Sequence, residues 1–296
     1  MKLEFFKKTK LPAQPGVYFF KQKSNILYIG KATSLRDRTK SYFAKDLINT
    51  RGPLILDMVF KADSVAYQET DSVLEAIILE ANLIKKHQPY YNTKEKDDKS
   101  FNYVGITKEK LPRVIVVRGK NLDQYVLSKV YGPYTSGTQL RESLKIIRKI
   151  FPFLDDKSKN YIEFYKQINL APDVNDRTLY SQNIKNIKLF FEGKKKRILQ
   201  NLGKQMKEYA KSREFERAGE IKRQIFALQH INDVALLRQE SAFQNGLAGV
   251  GDPENRGPYE KKIPVSALRI EAYDIAHMGG KNMTGVMTVI EDGEVA

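Results

Sequence analysis

Aromatic and β-branched residues concentrate in short segments near the start of the chain, each bounded by turn-forming residues. This pattern predicts two strands, GVYFFKQ at 16–22 and ILYIGKA at 26–32, joined by a tight turn. The next segment, TSLRDRTKSYF, is predicted to be a helix with Thr33 or Ser34 as its N-cap. A third short strand is predicted at SVAYQET, residues 64–70.

The strongest helical pattern follows, in DSVLEAIILEANLIKKHQP. Asp71 or Ser72 is the predicted N-cap, and Pro89 ends the helix because the residue before a proline disfavours helical backbone. Glu80 lies one turn from apolar positions on both sides, so its carboxylate is expected at the rim of the apolar stripe, within reach of a cleft. Glu75 is expected on the far side, facing water. The stripe consists of Val73, Leu74, Ile77, Ile78, Ala81 and Ile84.

The remaining chain predicts further α and β elements. Strands are expected at 103–107 and 113–119, a helix at 138–151, and two strands at 267–280 and 283–293, whereas residues 154–193 are polar and weakly patterned. Residues 194–236 predict two amphipathic helices joined near Ser212, which bury little by themselves and are expected to need a partner. The apolar positions of this hairpin are Ile198, Leu202, Met206, Tyr209, Phe215, Ala218, Ile221, Ile225 and Leu228.

Composition narrows the class of protein. The 296 residues suffice for more than one domain, and the sequence has neither an apolar run of membrane-spanning length nor a signal-peptide core, so we expect a soluble cytosolic protein. Cysteine is absent, which excludes disulfides, thiolate metal sites and cysteine nucleophiles. Three scattered histidines are too few for a histidine-based metal site.

The charge of the chain points to a polyanionic partner. The net charge is +16, and half of the excess falls in the first 60 residues, which contain 12 Lys/Arg and 4 Asp/Glu. Neutralising phosphates releases counterions from nucleic acid, so a basic excess of this size suits DNA or RNA. A membrane surface is the rival partner, but no lipidation pattern or Trp-bearing amphipathic helix supports it.

Candidate residues for phosphodiester hydrolysis cluster in the first hundred positions. Hydrolysis needs a base for water, an electrophile on the phosphate and charge stabilisation. Tyr18 or Tyr28 is the candidate base, and Lys31 or Arg38 nearby would lower the pKa of its phenol. Glu80 is a candidate Mg²⁺ ligand, since Mg²⁺ often takes one or two protein carboxylates together with phosphate oxygens. In the helix after the second strand, Leu35, Arg38 and Tyr42 share one face, while Arg36 and Lys40 point elsewhere.

These residues, in this order, resemble the GIY-YIG nuclease family, whose fold would be an α/β (α+β) domain with a short central antiparallel sheet. The resemblance rests on GVY, YIG, Arg38, Glu80 and Asn92. It implies that Tyr18 and Tyr28 frame the water with help from Lys31, that Arg38 and Tyr42 contact the phosphate, that Glu80 binds Mg²⁺ or Mn²⁺, and that Asn92 braces the site. Which tyrosine acts as the base stays open.

The resemblance extends to the UvrC family, a component of the bacterial excinuclease. LPAQPGVYFF, ILEANLIKKHQPYYN, DDKSF and YGPYTSGTQLRESLKIIRKIFPF are similar to that family, Phe215, Glu216 and Ala218 stand where its UVR motif meets UvrB, and IEAYDIAHMGG is similar to the start of its RNase H-like nuclease. The chain thus resembles the N-terminal half of such a protein. The expected organisation is a GIY-YIG domain at 1–97, a connecting α/β segment at 98–153, a cysteine-less counterpart of the family's cysteine-cluster region at 154–193, a UVR hairpin at 194–236, a linker at 237–266 and the truncated start of an RNase H-like domain at 267–296.

Two departures from the UvrC pattern limit the expected cofactors. The region after Phe151 and Pro152 has no cysteine, so no iron–sulfur cluster is expected. Asp274 is the first acid of an RNase H-like metal site and stands alone, so this second site is incomplete in the present sequence.

The resemblance implies an endonuclease component of nucleotide excision repair in the SOS response to DNA damage, which cuts 3′ to a lesion in a complex with UvrB and damaged double-stranded DNA. One alternative is a non-catalytic adaptor that binds DNA and UvrB. Another is a stand-alone GIY-YIG nuclease, against which the UVR-like hairpin argues.

Overall fold

The structure is a computed structural model that describes residues 10–44, 47–93, 101–156, 172 and 176–231, together with the backbone of 269–278, 282–291 and 294–295. The chain divides into two compact units, residues 1–249 and 250–296. The predicted linker at 237–266 and most of 157–175 lie outside the described residues. None of the helices in the described part combines the length and hydropathy that crossing a bilayer requires.

A three-stranded antiparallel sheet forms the base of the first unit, with strand order β2-β1-β3. Tyr18 pairs across β1 with Gly30 on one side and Tyr67 on the other, which leaves β2 as an edge strand. The three predicted strands are confirmed, and their bounds are β1 (Gly16–Gln22), β2 (Asn25–Ala32) and β3 (Ser64–Glu69).

Helices cover both faces of this sheet. On one face lie α1 (Leu35–Lys40) and α2 (Leu47–Lys61), whose apolar residues pack on Tyr18 and Phe20. On the other face, α3 (Val73–His87) packs on Val17 and Ile29 through Ala76 and Ile84. The hydroxyls of Ser34 and Ser72 accept the backbone N–H groups of Asp37 and Glu75, so these two serines are the N-caps of α1 and α3.

The helix α2 was not anticipated from the sequence. Gly52 interrupts it with φ 79° and ψ 171°, a backbone conformation essentially restricted to glycine, and Pro53 follows as the first residue of the second half. A Gly-Pro pair ordinarily indicates a turn, so the sequence does not predict a helix here. The structure nevertheless buries the apolar residues Leu47, Ile55 and Met58 of α2.

A second antiparallel sheet, with strand order β5-β4-β6, lies beyond a short helix, α4 (Tyr90–Thr93). The predicted strands and the helix at 138–151 are confirmed, while β6 was not predicted. The helix α3 packs against both sheets. One face, with Ala76, contacts the first sheet, and the opposite face contributes Leu74, Ile77 and Ala81 to a large apolar core that includes the second sheet. The elements are β4 (Asn102–Thr107), β5 (Val114–Arg118), β6 (Leu127–Tyr134) and α5 (Gly137–Ile150).

Three more helices complete the core. Residues 154–193 are polar and weakly patterned in sequence, yet they contain a helix, α6 (Arg177–Phe191), which buries Ile187, Phe190 and Phe191. The predicted hairpin is confirmed as α7 (Lys195–Lys211) and α8 (Phe215–Gln229), with its turn at 212–214. The surface that covers this hairpin belongs in part to the same chain. Its residues Ile198, Leu202, Ile221 and Leu228 pack in one apolar core with residues of α3 and α6.

The second compact unit contains an antiparallel sheet in the order β7-β8-β9. Asp274 pairs with Val286 in the backbone register of the first two strands. The two strands predicted from the sequence are confirmed as β7 (Arg269–Met278) and β8 (Asn282–Glu291), and a two-residue strand, β9 (Glu294–Val295), extends them.

Candidate active site

Three tyrosines meet on the face of the sheet that α1 and α2 cover. The hydroxyls of Tyr18 and Tyr42 lie 2.7 Å apart in a buried hydrogen bond. The ring centroid of Tyr28 lies 6.3 Å from each of theirs. Tyr18 and Tyr42 are buried, whereas Tyr28 on the edge strand is half-buried. Tyr28 is therefore the most accessible of the three tyrosines.

Gly30 explains the glycine of the YIG segment. It pairs directly across from Tyr18 in the register of β1 and β2, and the Tyr18 phenol lies over its α-carbon. A Cβ at this position would overlap the hydroxyl and Cζ of Tyr18. The absence of a side chain at Gly30 thus makes room for the ring that holds Tyr42.

Burial dominates the acidity of Tyr18. It raises the pKa of the phenol well above its ordinary value, and the adjoining Tyr42 phenol adds to the rise. The guanidinium groups of Arg38 and Arg51 act in the opposite direction but do not offset it. Arg38 thus lowers the pKa of the Tyr18 phenol, as predicted for a neighbouring cation, but burial has the larger effect and the pKa is raised overall.

Glu80 lies on the opposite face of the edge strand, in contact with Lys31. One carboxylate oxygen accepts the backbone N–H of Lys31 at 2.9 Å, and the other accepts its ammonium group at 3.1 Å. Glu80 is only 7% exposed, so it lies deeper than the rim position predicted from its spacing. The backbone N–H of a strand residue satisfies a buried carboxylate, which explains the difference.

Glu75 also differs from its prediction. It does not simply face water, because its carboxylate accepts the ammonium group of Lys195 at 2.7 Å. Lys195 also contacts Asp71 at 3.0 Å, and its side chain is 14% exposed. This contact joins the first turn of α3 to the first turn of α7.

Arg38 extends from α1 towards the tyrosines. Its guanidinium carbon lies 6.0 Å from the ring centroid of Tyr42, and the residue is half-buried. Leu35 and Tyr42 are buried on the same side, as the spacing predicts, while Arg36 and Lys40 are exposed. The inner face of this helix thus places one guanidinium beside the phenol cluster.

Asn92 binds the outer edge of β2. Its side-chain oxygen accepts the backbone N–H of Ile29, and its amide nitrogen donates to the carbonyl of Ile29, both at 2.8 Å. These are the groups that an edge strand leaves without a partner strand. Asn92 therefore fixes the strand between Tyr28 and Lys31, two residues of the predicted site.

The sequence reasoning missed Arg51. This residue of α2 places its guanidinium carbon 4.1 Å from the Tyr42 ring centroid, and it donates a hydrogen bond to the Ser41 hydroxyl at 2.9 Å. Because α2 itself was not predicted, no helical face pointed to Arg51, and only the basic excess of the region signalled it.

All of these groups lie next to the strand β2. Successive residues of a strand face opposite sides, so Tyr28 points to the phenol cluster and Lys31 to Glu80. The structure thus gathers Tyr18, Tyr28, Lys31, Arg38, Tyr42, Glu80 and Asn92 around one edge strand.

The donor set of this site suits a single divalent cation of the Mg²⁺ type. In the ranges that the structure describes, no three His, Cys, Asp or Glu residues converge on a point where they could hold a metal ion. Glu80 offers one carboxylate, and Mg²⁺ often binds proteins through one or two carboxylates while phosphate and water oxygens complete its shell. A magnesium or manganese ion held by Glu80 and substrate therefore fits, provided that it shares the carboxylate with Lys31.

The other predicted residues lie elsewhere. Phe215 and Glu216 are exposed at the start of α8, with Phe215 68% exposed, and Ala218 is half-buried. Asp274 lies within β7, and its side chain is outside the described residues.

Two family models match the sequence: the UvrC-like GIY-YIG domain over residues 14–93 and the UvrB/UvrC motif over residues 196–231. The chain is 37% identical over 236 residues to the UvrABC system protein C of Moorella thermoacetica, which covers 76% of the chain and 37% of that protein. It is 33% identical over 297 residues to the protein of the same name from Synechocystis sp., which covers 97% of the chain and 46% of that protein.

Among solved structures, the GIY-YIG N-terminal endonuclease domain of UvrC from Thermotoga maritima, bound to magnesium as its catalytic divalent cation, is 40% identical. That match covers 31% of this chain and 100% of the solved chain, with a TM-score of 0.28. The present chain spans less than half the length of these curated relatives, whose matched shares are 37% and 46%.

Proposed function

We propose a function from the premise that residues 14–93 belong to the UvrC-like GIY-YIG family and residues 196–231 carry the UvrB/UvrC motif. The chain is a DNA endonuclease component of nucleotide excision repair. It hydrolyses a phosphodiester 3′ to a lesion in a complex with UvrB and damaged DNA. The observation that carries this proposal is the convergence of phenols, guanidinium groups and one buried carboxylate on the edge strand β2.

We assign the base that activates water to Tyr28. Tyr18 is fully buried, it is hydrogen-bonded to Tyr42, and its raised pKa keeps its phenol protonated. Tyr28 is half-buried on the edge strand, with the hydroxyl pair of Tyr18 and Tyr42 behind it. Tyr28 in its phenolate form thus orients the attacking water and accepts its proton to become a neutral phenol, as the water oxygen bonds to phosphorus and the P–O bond to the leaving strand breaks. The other two phenols fix the position of the Tyr28 ring.

Cationic groups stabilise the charge that develops on the phosphate. Arg38 is fixed beside Tyr42 and neutralises the equatorial oxygens in the transition state. Lys31 supplies a second positive charge on the other face of β2. Glu80 would hold Mg²⁺ or Mn²⁺, which supplies Lewis-acid polarisation of the phosphate when bound. Asn92 keeps Tyr28 and Lys31 in register by binding Ile29, one of the two residues between them.

The hairpin is proposed as the surface for UvrB. Phe215 and Phe226 are eleven residues apart on α8, which is close to three helical turns, so they share one face. They are 68% and 63% exposed, an unusual condition for two phenylalanines on one helix. Together with Glu216 and Ala218 they form an apolar stripe with a charged border, which a second helical hairpin would cover.

Residues 267–296 are proposed to begin an RNase H-like domain. The antiparallel pair β7–β8 and the position of Asp274 within β7 are compatible with the opening of such a domain. A second incision, 5′ to the lesion, would need further acidic residues from strands outside this sequence.

A reconstituted incision assay tests the proposed function. A lesion-bearing duplex labelled at its 3′ end is loaded with UvrB, and the purified chain and Mg²⁺ are then added. A cut 3′ to the lesion that requires UvrB supports the proposal. If wild-type protein makes no cut, the catalytic assignment fails. If it cuts undamaged DNA equally well without UvrB, the chain acts as a stand-alone nuclease.

A further inference from the structure

Arg51 is connected to the phenol cluster by two separate contacts. Its guanidinium carbon lies 4.1 Å from the Tyr42 ring centroid, a stacking distance typical of cation–π contacts. Its Nη2 donates to the Ser41 hydroxyl at 2.9 Å, and this hydroxyl donates to the backbone carbonyl of Arg38 at 2.6 Å. Arg51 thus ties α2 to the end of α1, which contains Arg38, and to the turn after it, which contains Tyr42.

The backbone fixes where Arg51 stands. The next residue, Gly52, has φ 79° and ψ 171°, a conformation that residues with a Cβ rarely adopt. The kink separates the first turn of α2, which contains Arg51, from the remainder, which packs on the sheet through Ile55 and Met58. The backbone thus places Arg51 beside the turn at Ser41, and the contacts with Ser41 and Tyr42 hold its guanidinium.

Charge at this point acts on the hydrogen-bonded phenols. Arg38 and Arg51 both favour the ionised form of Tyr18, against its burial. Arg51 is half-buried, and three tyrosine rings lie within 6.3 Å of one another beside it. Two guanidinium groups thus lie beside one phenol cluster, and a guanidinium is the side chain best suited to bind the oxygens of a phosphodiester.

We propose that Arg51 is a positioning residue of the nuclease site. It holds the Tyr42 ring in place, which keeps the Tyr42 hydroxyl on Tyr18 and the face of Tyr28 open to substrate. It also supplies a second guanidinium to the positive potential that stabilises the charge developing on the phosphodiester in the transition state. This inference rests on the proposed function of the site, and it adds to that function a residue from a helix outside the GIY and YIG strands.

Incision kinetics separate this role from a merely structural one. Arg51→Ala is expected to lower the incision rate at saturating DNA by roughly 3- to 30-fold, the range that loss of one cation–π contact implies, with KM for DNA changed less than kcat. Arg51→Lys keeps the charge and is expected to recover at least half of that loss on a logarithmic scale. The control is Arg118→Ala, which removes an exposed arginine from β5 and is expected to incise at the wild-type rate.

A readout that needs no activity makes the outcome independent of the proposed function. In protein labelled with ¹³C-tyrosine, the ring signals of Tyr42 are expected to shift in Arg51→Ala and to stay in place in Arg118→Ala. Circular dichroism and thermal unfolding establish whether both variants fold. If Arg51→Ala does not fold, the same ring signals are measured in Arg51→Lys instead.

The two measurements fail in distinguishable ways. Wild-type incision together with an Arg51→Ala variant that cuts at an unchanged rate overturns the positioning role. Unchanged Tyr42 signals in a folded Arg51→Ala variant overturn it as well. If wild-type protein does not incise, the proposed function fails, and the Tyr42 signals alone decide whether Arg51 positions the ring.

Discussion

Replacing Asn92 by alanine tests how the edge strand of the site is held. The side chain of Asn92 satisfies both backbone groups of Ile29, with two hydrogen bonds of 2.8 Å. Ile29 is fully buried and Asn92 is 8% exposed, so little water reaches these groups in the folded protein. Truncation leaves one N–H and one carbonyl without their partner.

The expected loss follows from that count. A buried backbone group deprived of its partner costs about 1–3 kcal/mol, so two of them cost about 2–5 kcal/mol once partial entry of water is included. Asn92→Asp keeps an acceptor for the N–H but sets a buried carboxylate oxygen against the Ile29 carbonyl, so its loss at neutral pH should be at least as large. A matched control is Asn201→Ala, at an exposed position of α7, which should change stability by less than about 0.5 kcal/mol.

Urea unfolding followed by tyrosine fluorescence measures the free energy, and hydrogen exchange at the Ile29 amide reports on the bond itself. Asn92→Ala should lose protection at Ile29 before other amides of β2. A loss below about 0.5 kcal/mol, with Ile29 still protected, would refute the argument that this side chain completes the edge of the sheet.

Three further perturbations test other contacts. Gly30→Ala places a methyl group against Tyr18 and should lower the free energy of unfolding by about 1–3 kcal/mol, measured by urea unfolding, with a shift of the Tyr18 ring signals; unchanged stability would contradict the close approach. Lys195→Met removes the ammonium group from Glu75 and should cost about 1–3 kcal/mol, and a loss as large at 1 M salt as at 0.1 M would argue against an ionic origin. Burial raises the pKa of Tyr180 to about 12, so the Tyr180 proton leaves the unfolded chain at lower pH than the folded one. The free energy of unfolding should therefore fall between pH 10 and 12 by about 1.4 kcal/mol per pH unit for this residue. Tyr180→Phe should lose stability less steeply with pH in this range, and an equal slope would contradict the assignment.

The elements that the sequence predicts well are those with local signals. The strands β1 and β2 are dense in aromatic and β-branched residues, and α3 has a continuous apolar stripe, a serine N-cap and a proline just past its end. Their bounds agree with the structure to within one or two residues. The order of Tyr18, Tyr28, Arg38, Glu80 and Asn92 also predicts one site, and the structure brings these residues together around β2.

Elements whose local signals conflict with their tertiary setting were missed. Gly52 and Pro53 indicate a turn and do interrupt α2, yet helix lies on both sides of them, where Leu47 and Ile55 are buried. The helix α6 has a polar average composition, and only its packing against the hairpin and α3 makes it part of the core. Propensity carries no information about such long-range partners.

The finer properties of the site depend on contacts between distant residues. The spacing along its helix predicts that Glu80 lies at the rim, but Lys31, 49 residues away on β2, donates two hydrogen bonds to its carboxylate. Glu75 reads as a solvated residue, but Lys195, 120 residues away, binds its carboxylate. The raised pKa of Tyr18 likewise results from complete burial, which no spacing of tyrosines in a sequence specifies.

The measurement that tests the central claim most directly is 3′ incision by Glu80→Gln. Glutamine keeps an acceptor for the Lys31 N–H, so the fold is expected to remain, but it removes the charge that would hold Mg²⁺. Glu75→Gln, on the same helix but in contact with Lys195, is the matched control. We predict that Glu80→Gln lowers the 3′ incision rate by at least about 100-fold while binding of UvrB and DNA is retained, and that the control cuts normally. A folded Glu80→Gln protein that cuts at the wild-type rate would contradict a nuclease site at β2.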